Sequence, residues 1–310
     1  MRFLTLGVAA ALLLPAWTVS AQTPPEDDPA SLDDVVVYGG APAERARQFV
    51  HEVSRPPFGR ALARWTAPIC IGVANLQPDA AQALIDRIAS VAASLGLEPA
   101  EPGCKPHILI VAAHASDADA LVDKFVSEDE YQLRPSRGGT DLGSQALEAF
   151  RESRAPVRWW HVSLPVMAET GQPALLLDGD TPTPPPTGDT PPMYMVMVPS
   201  MSRISQPVRN DLMRAIIVVD VDQTRSVSFA SLADYLSMVA LAQINPAVEV
   251  GSADSILNLF NADASRATKM TDWDAAFLVS LYESRSNPMS SAQQANEMAR
   301  DMIRAVGDGG

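Results

Sequence analysis

Basic residues, cysteine and histidine are scarce in this 310-residue sequence, and each shortage argues against a class of function. The chain has 23 lysines and arginines against 37 aspartates and glutamates, which gives a formal net charge of −14. This charge repels phosphate backbones and anionic lipid surfaces, so nucleic acid is a poor candidate partner. The two cysteines by themselves make a weak zinc site.

Long apolar runs are also missing, apart from a short one at the N-terminus. Arg2 precedes an apolar run over residues 3–14, and the small residues before Gln22 are typical of a signal-peptidase site. We expect residues 1–21 to be a signal peptide cut after Ala21. No other segment offers about 20 uninterrupted apolar residues, and Gln22 is not a lipid-accepting cysteine. The expected mature chain is soluble, without a membrane span, and periplasmic or secreted.

Both cysteines, Cys70 and Cys104, lie in the part of the chain expected to be exported. An oxidising compartment favours a disulfide between them. Two free or metal-binding thiols are the alternative.

Residues 22–57 are rich in proline and acidic residues, and we interpret them as a tether with one helical patch at residues 43–53. Within the tether, "LDDVVVYGG" at residues 32–40 resembles the TonB box of TonB-dependent receptors. Such a segment adds a strand to a partner's sheet, so Val35, Val36 and Val37 imply a TonB-type contact. An accidental strand, or one that pairs with its own domain, is the alternative.

The folded part is expected to begin near residue 58. An apolar run at residues 67–76 and "HILIVAA" at 107–113 predict two strands, and the apolar spacing between them predicts a helix that ends at Gly96. Strand, helix and strand in this order imply a right-handed parallel crossover. Cys70 and Cys104 then lie at the same end of neighbouring strands.

The middle of the chain predicts mostly sheet. A short helix at residues 143–154 precedes a hairpin at 156–179, and further strands follow at 193–204 and 215–222. The proline-rich residues 178–192 cannot supply the backbone hydrogen bonds of a β-sheet, which predicts a surface loop. The loop's acidic residues could bind calcium but lack the spacing of a known calcium loop, so solvated charge is the simpler interpretation.

The stretch "FASLADYLSMVALAQI" at residues 229–244 has apolar residues at helical spacing after a possible serine cap, and the helix ends before Pro246. It is followed by "ADSILNLF" at 253–260 and by a helix within 269–285 that Thr271 caps. A terminal helix within 286–310 could pack on the domain or on a partner.

This order resembles the zincin-like peptidases, the gluzincins and metzincins. Their strands lead into an active-site helix with HExxH, which metzincins follow with a methionine turn and a closing helix. "SILNLF" resembles the methionine turn, and "TDWDAAFLVSLY" resembles the closing helix. The opening strand-helix-strand also resembles the uncharacterised bacterial family DUF2927. The resemblance implies an α+β, zincin-like fold with a mixed sheet over residues 58–285.

The zinc ligands that the resemblance calls for are missing. Zinc needs three imidazole, carboxylate or thiolate ligands to activate water. On the resemblance, Ala233 and Ser237 stand at the two histidines of HExxH, and Asp234 stands at its glutamate. Gln243 stands at the third zinc ligand and Leu257 at the methionine of the turn, and we call these five the degenerate positions. Asp234 is the one weak catalytic candidate, although an acid without a metal is typically a solvent-facing helix charge.

Other chemical groups have simpler interpretations. His51, His107, His114 and His161 show no ligand spacing, which indicates structural or surface roles. Asp220 and Asp222 alternate faces of a strand, while Asp272 and Asp274 suit a helix N-terminus. "RWWH" at residues 158–161 could stack a planar ligand, but one tryptophan is expected in the core. The sequence has no G-x-S-x-G and no phosphate loop.

These observations favour a secreted, non-catalytic binding or scaffolding domain that needs no cofactor and has an unidentified protein or small-molecule partner. One alternative is a hydrolase built on Asp234 with the acids at residues 220–222 and a metal from solution. The other is an accessory protein of TonB-dependent transport.

Overall fold

The computed structural model describes residues 42–57, 60–127, 133, 142–174, 204–248, 250–251, 253–261 and 267–307. The expected signal peptide, the segment at 32–40 and the proline-rich loop at 178–192 lie outside these residues. So does almost all of the strand expected at 193–204.

A mixed four-stranded sheet forms the centre of the described fold. Its strands are β1 (Ile71–Ala74), β2 (Ile108–Ala113), β3 (Val157–Met167) and β4 (Val208–Asp220), in the spatial order β1-β2-β4-β3. The first three in that order are parallel, and β3 runs antiparallel along β4. The α+β class is confirmed, and β4 is longer than predicted because residues 208–214 join it to pair with β3.

The predicted crossover is also confirmed. Helix α2 (Pro78–Ser94) connects the parallel neighbours β1 and β2. It begins at a proline, whose missing N–H costs nothing in a first turn, and the chain leaves it through Gly96 at φ 77°. Cys70 and Cys104 form the expected disulfide, with a Cα–Cα distance of 6.1 Å.

Helices cover both faces of the sheet. Helices α3 (Ala115–Ser127) and α4 (Ser144–Glu152) pack on one face. The other face carries α2 and a group of four further helices, α1 (Pro42–Val53), α5 (Phe229–Leu241), α6 (Asp272–Glu283) and α7 (Ser291–Gly307). Helix α3 was not predicted.

Adjacent residues of β3 point to opposite cores, which places both tryptophans of "RWWH" inside the protein. Trp159 is in the core with α5, and its indole donates to the Ile244 carbonyl at 3.0 Å. Trp160 is in the opposite core, 5.8 Å from Phe150 between ring centroids. Neither ring is available to stack a ligand. One buried tryptophan was expected, but both are buried because helices cover both faces of the sheet at this point.

The ends of the folded unit differ from the expected domain boundaries. Helix α1, assigned above to the tether, buries Phe49, Val50 and Val53 in the main core. Helix α7 contacts both α1 and α6 and buries Met298 and Met302. The described part of the expected tether therefore belongs to the domain, and the terminal helix packs on its own chain. Burying a side chain of this size contributes about 1.5–3 kcal/mol.

Among the described residues, no helix is both long and apolar enough to cross a membrane.

The disulfide closes a loop with a sequence separation of 34. Replacing both cysteines by serine should lower the free energy of unfolding by about 4 kcal/mol on the loop-entropy estimate. Urea titration of the two proteins measures the difference. A reducing agent should destabilise the wild type and leave the double variant unchanged; equal stability of the two proteins would contradict the prediction.

Candidate functional site

Helix α5 is buried on nearly all sides. The sequence allowed Ser228 or Ser231 as the N-terminal cap, and Ser228 takes this role by accepting a hydrogen bond from the Ser231 N–H. Ten of its 13 residues are buried, including Ser231, Asp234 and Ser237. A helix that is surrounded in this way belongs to a core rather than to a surface.

The C-terminal end of α5 is buried, and side chains from three other segments bind its last carbonyl groups. His161 Nε2 lies 2.7 Å from the Val239 oxygen, Trp65 Nε1 donates to Ala240 at 2.9 Å, and the Tyr282 hydroxyl donates to Leu241 at 2.7 Å. The last four carbonyls of any helix lack partners within the helix. These three contacts fix α5 against β3, the segment before β1, and α6.

His161 is held in its neutral form by burial. It is 3% exposed, and the loss of hydration lowers its pKa from 6.5 to about 4, although the hydrogen bond to the Val239 carbonyl acts in the opposite direction. Nε2 must carry the ring proton to donate to a carbonyl. The structural role expected for His161 is what its contacts show.

Asp234, the weak catalytic candidate, is not a solvent-facing charge, and that expectation is wrong. Its side chain is 9% exposed; one carboxylate oxygen lies 2.5 Å from Arg87 Nε, and the other accepts from the Met270 N–H at 2.7 Å. The carboxylate thus links α5 to α2 and to the segment before α6. Each of the two oxygens is engaged in one of these internal contacts.

The other degenerate positions on α5 and just after it are also used internally. Ser237 is fully buried and donates to the Ala233 carbonyl one turn earlier at 2.8 Å. Gln243 is 1% exposed, and its side-chain oxygen accepts from the Ala63 N–H at 2.8 Å. Its Nε2 has no hydrogen-bond partner among the residues that the structure describes. These donors do not fit a zinc ion, because they include no imidazole or thiolate and the one carboxylate is occupied.

Leu257 lies in a 3₁₀ turn, Ile256–Asn258, that contacts α5. Asp274 ties this turn to α6: its carboxylate accepts from the Ser255 hydroxyl at 2.5 Å, the Ile256 N–H at 2.8 Å and the Thr271 N–H at 2.9 Å. Thr271 and Asp274 form a reciprocal capping box, which confirms the predicted Thr271 cap. Burial raises the pKa of Asp274, and these hydrogen bonds partly oppose the rise.

Asp220 and Asp222 do not combine into one site. Asp220 is buried and accepts from the Asp222 and Gln223 N–H groups, so it closes the turn after β4. Asp222 lies at the surface, where His114 Nδ1 is 3.1 Å away. The Ala115 N–H and His114 lower the pKa of Asp222. In the part of the chain that the structure describes, no three His, Cys, Asp or Glu side chains form a group that could hold a metal ion.

A cavity of about 220 Å³ lies beside the N-terminal half of α5, at the carboxyl ends of the parallel strands. Its walls come from Leu84 of α2, Ala112 of β2, Val219 of β4, and Ala233 and Leu236 of α5. Ala233, at the position of the first ligand histidine, therefore faces an apolar space. Apolar clefts at this edge of a parallel sheet are common ligand sites.

Sequence reasoning missed the residues that make these contacts. Arg87 is 147 positions from Asp234, and Trp65 is 175 positions from the carbonyl it binds. No local pattern marks either one, since both are ordinary in their own segments. The one sequence signal that α5 is buried was that apolar residues occur on all sides of the helix.

Comparison of the chain with protein-family models, with curated proteins and with solved structures finds no significant match.

Replacing Asp234 by Asn should lower the free energy of unfolding by about 1–3 kcal/mol, because a buried charge-assisted contact is lost. Most of this loss comes from the weaker acceptor that a neutral amide offers the Met270 N–H, since Arg87 is 41% exposed and an exposed ion pair contributes little. Chemical denaturation measures it. Asp86→Asn on the exposed face of α2 is the matched control and should stay within about 0.5 kcal/mol; equal effects at both positions would contradict the assigned role.

His161 should make stability depend on acid pH. Between pH 6.5 and 4 the unfolded chain binds a proton at this imidazole that the folded protein does not, so stability decreases as the pH falls, by about 3 kcal/mol in total. Asp274 changes stability in the opposite direction, because its pKa is raised in the folded protein. Just above the ordinary pKa of aspartate, the folded protein binds a proton there that the unfolded chain does not, so stability increases as the pH falls. Comparing wild type with His161→Gln isolates the imidazole. Parallel stability curves from pH 6.5 to 4.5 would show that the prediction is wrong.

Proposed function

We propose that this chain is an exported, non-catalytic binding domain of zincin-like architecture. In this proposal α5 occupies the place of a peptidase's active-site helix and acts as a packing element. The disulfide supports export, because such bonds persist in oxidising compartments.

One observation carries the non-catalytic part: all five degenerate positions are buried, and the four other than Ala233 are used in packing or internal contacts. Asp234 holds Arg87 and the Met270 N–H, Gln243 holds the Ala63 N–H, and Leu257 packs in the turn below α5. A general base or metal ligand needs a lone pair directed at substrate or ion. Here the lone pairs are directed at backbone and guanidinium donors.

The zincin-like part is supported by the order of elements. A strand, a helix and a parallel strand are followed by an antiparallel strand at the sheet edge, a central strand, the buried helix α5, a tight turn beneath it, and a capped helix. The contact between α5 and the turn at Ile256–Asn258 is the one that the resemblance requires.

The hydrolase alternative has less support. It needs Asp234 and the acids at residues 220–222 to act together, but each carboxylate has its own set of partners, as described above. The accessory-transport alternative depends on residues 32–40, which lie outside the described part. A pull-down with a chain that lacks those residues tests it.

Elemental analysis of the purified mature protein tests the proposal. After growth with added zinc and dialysis, we expect well below one zinc per chain, because three ligands are lacking. Asp234→Ala is the matched variant and should show the same metal content and the same absence of peptide hydrolysis. Stoichiometric zinc in the wild type would overturn the proposal, and its loss in Asp234→Ala would assign the metal to that carboxylate.

A further inference from the structure

The cavity beside α5 differs from the rest of the core because its apolar walls lead to one charged group. Most of its lining is aliphatic, and the hydroxyl of Thr224, at its edge, is bonded to the Asp220 carbonyl. Arg225 is the lining residue that carries a charge, and its side chain is 71% exposed. Phe229, also in the lining, is 43% exposed. The cavity is therefore apolar inside and cationic at its solvent-facing end.

We propose that this cavity binds a medium-length acyl chain with its terminal carboxylate on Arg225. The inference rests on the proposed binding function and names the ligand class and the site.

The size of the cavity sets the length of the chain. A volume of about 220 Å³ exceeds the roughly 150 Å³ that suffices for benzene in an engineered cavity, and it is below the roughly 300–1,000 Å³ of sites for drug-sized ligands. A methylene group is close in size to a water molecule, whose share of liquid volume is about 30 Å³. On that scale a volume of about 220 Å³ corresponds to roughly seven such groups, so octanoate is chosen as the probe.

The chemistry of the lining selects the two ends of the ligand. The walls are mostly aliphatic, and the Thr224 hydroxyl in the lining is already bonded to the Asp220 carbonyl. They offer little with which to orient a sugar, nucleobase or peptide, so the buried end of the ligand must be apolar. At the mouth, Arg225 Nη2 contacts Asp222 Oδ1 at 2.5 Å. A guanidinium offers five N–H donors in a fork that matches a carboxylate, more than this one contact uses.

The contact between Arg225 and Asp222 does not block the mouth. It is an exposed pair three residues apart, and such pairs contribute little to stability. Asp222 is also bonded by the Ala115 N–H and lies beside His114, so it keeps partners when the guanidinium turns towards a ligand.

Titration of the full mature chain with octanoate, followed by amide NMR, tests the proposal. We expect saturable shifts at Leu84, Ala112 and Ala233. Ala233→Leu fills the cavity and should weaken binding at least tenfold. Ala230→Leu makes the same change at an exposed position of α5 and should leave binding unchanged. If Ala233→Leu does not fold, as judged by circular dichroism, Leu232→Trp at the partly buried wall replaces it.

Octan-1-ol has the same tail without the charge and tests the head-group contact. Arg225→Gln should weaken octanoate binding about five- to tenfold and change octan-1-ol binding less than twofold. The control is Arg304→Gln, which removes the matching pair with Asp301 on α7, a helix that contributes no residue to the cavity.

Three outcomes would overturn the inference: no saturable octanoate binding, binding insensitive to filling of the cavity, or equal binding of the acid and the alcohol with no effect of Arg225→Gln. None of them bears on the zinc content. Stoichiometric zinc would instead overturn the non-catalytic function whatever the octanoate result, so the two failures can be told apart.

Discussion

The need to satisfy the carbonyl groups at the end of a buried helix organises this fold. Helix α5 lies inside the protein, where an unpaired carbonyl costs about as much as a lost hydrogen bond. His161 from β3, Trp65 from the segment before β1, and Tyr282 from α6 each bind one of these groups. The same three rings add apolar area, so a single set of side chains both closes the core and satisfies its polar atoms.

Two buried carboxylates extend this arrangement around α5. Asp234 joins the helix to α2 and to the segment before α6, while Asp274 joins α6 to the turn beneath α5. A buried charge is tolerated only when it is paired or bonded, and both acids meet that condition through backbone N–H groups. In this fold the two carboxylates hold helices and turns in position. The space left over is the apolar cavity at Ala233, which is where binding is proposed.

Local patterns in the sequence predicted those features whose causes are local. The crossover from β1 through α2 to β2 follows from apolar periodicity and a glycine stop, and the Thr271 cap follows from a residue type three positions before Asp274. The disulfide followed from the placement of two cysteines at one end of neighbouring strands. Helix α3 was missed, and α1 was assigned to a tether, because a short amphipathic helix has little signal until its core is present.

By itself the sequence determined the α+β class, the crossover and the absence of an HExxH motif, since each depends on residue types at short spacing. It also determined the Cys70–Cys104 bond, because the chain has only these two cysteines. Only the tertiary structure decided that Asp234 is an internal ion-pair partner rather than a surface charge, that both tryptophans of β3 are buried, and that Ala233 faces a cavity. The physical reason is distance along the chain: Asp234 and Arg87 are 147 positions apart. Their contact depends on how α2 and α5 pack on one face of the sheet. This packing cannot be deduced from any short segment of the sequence.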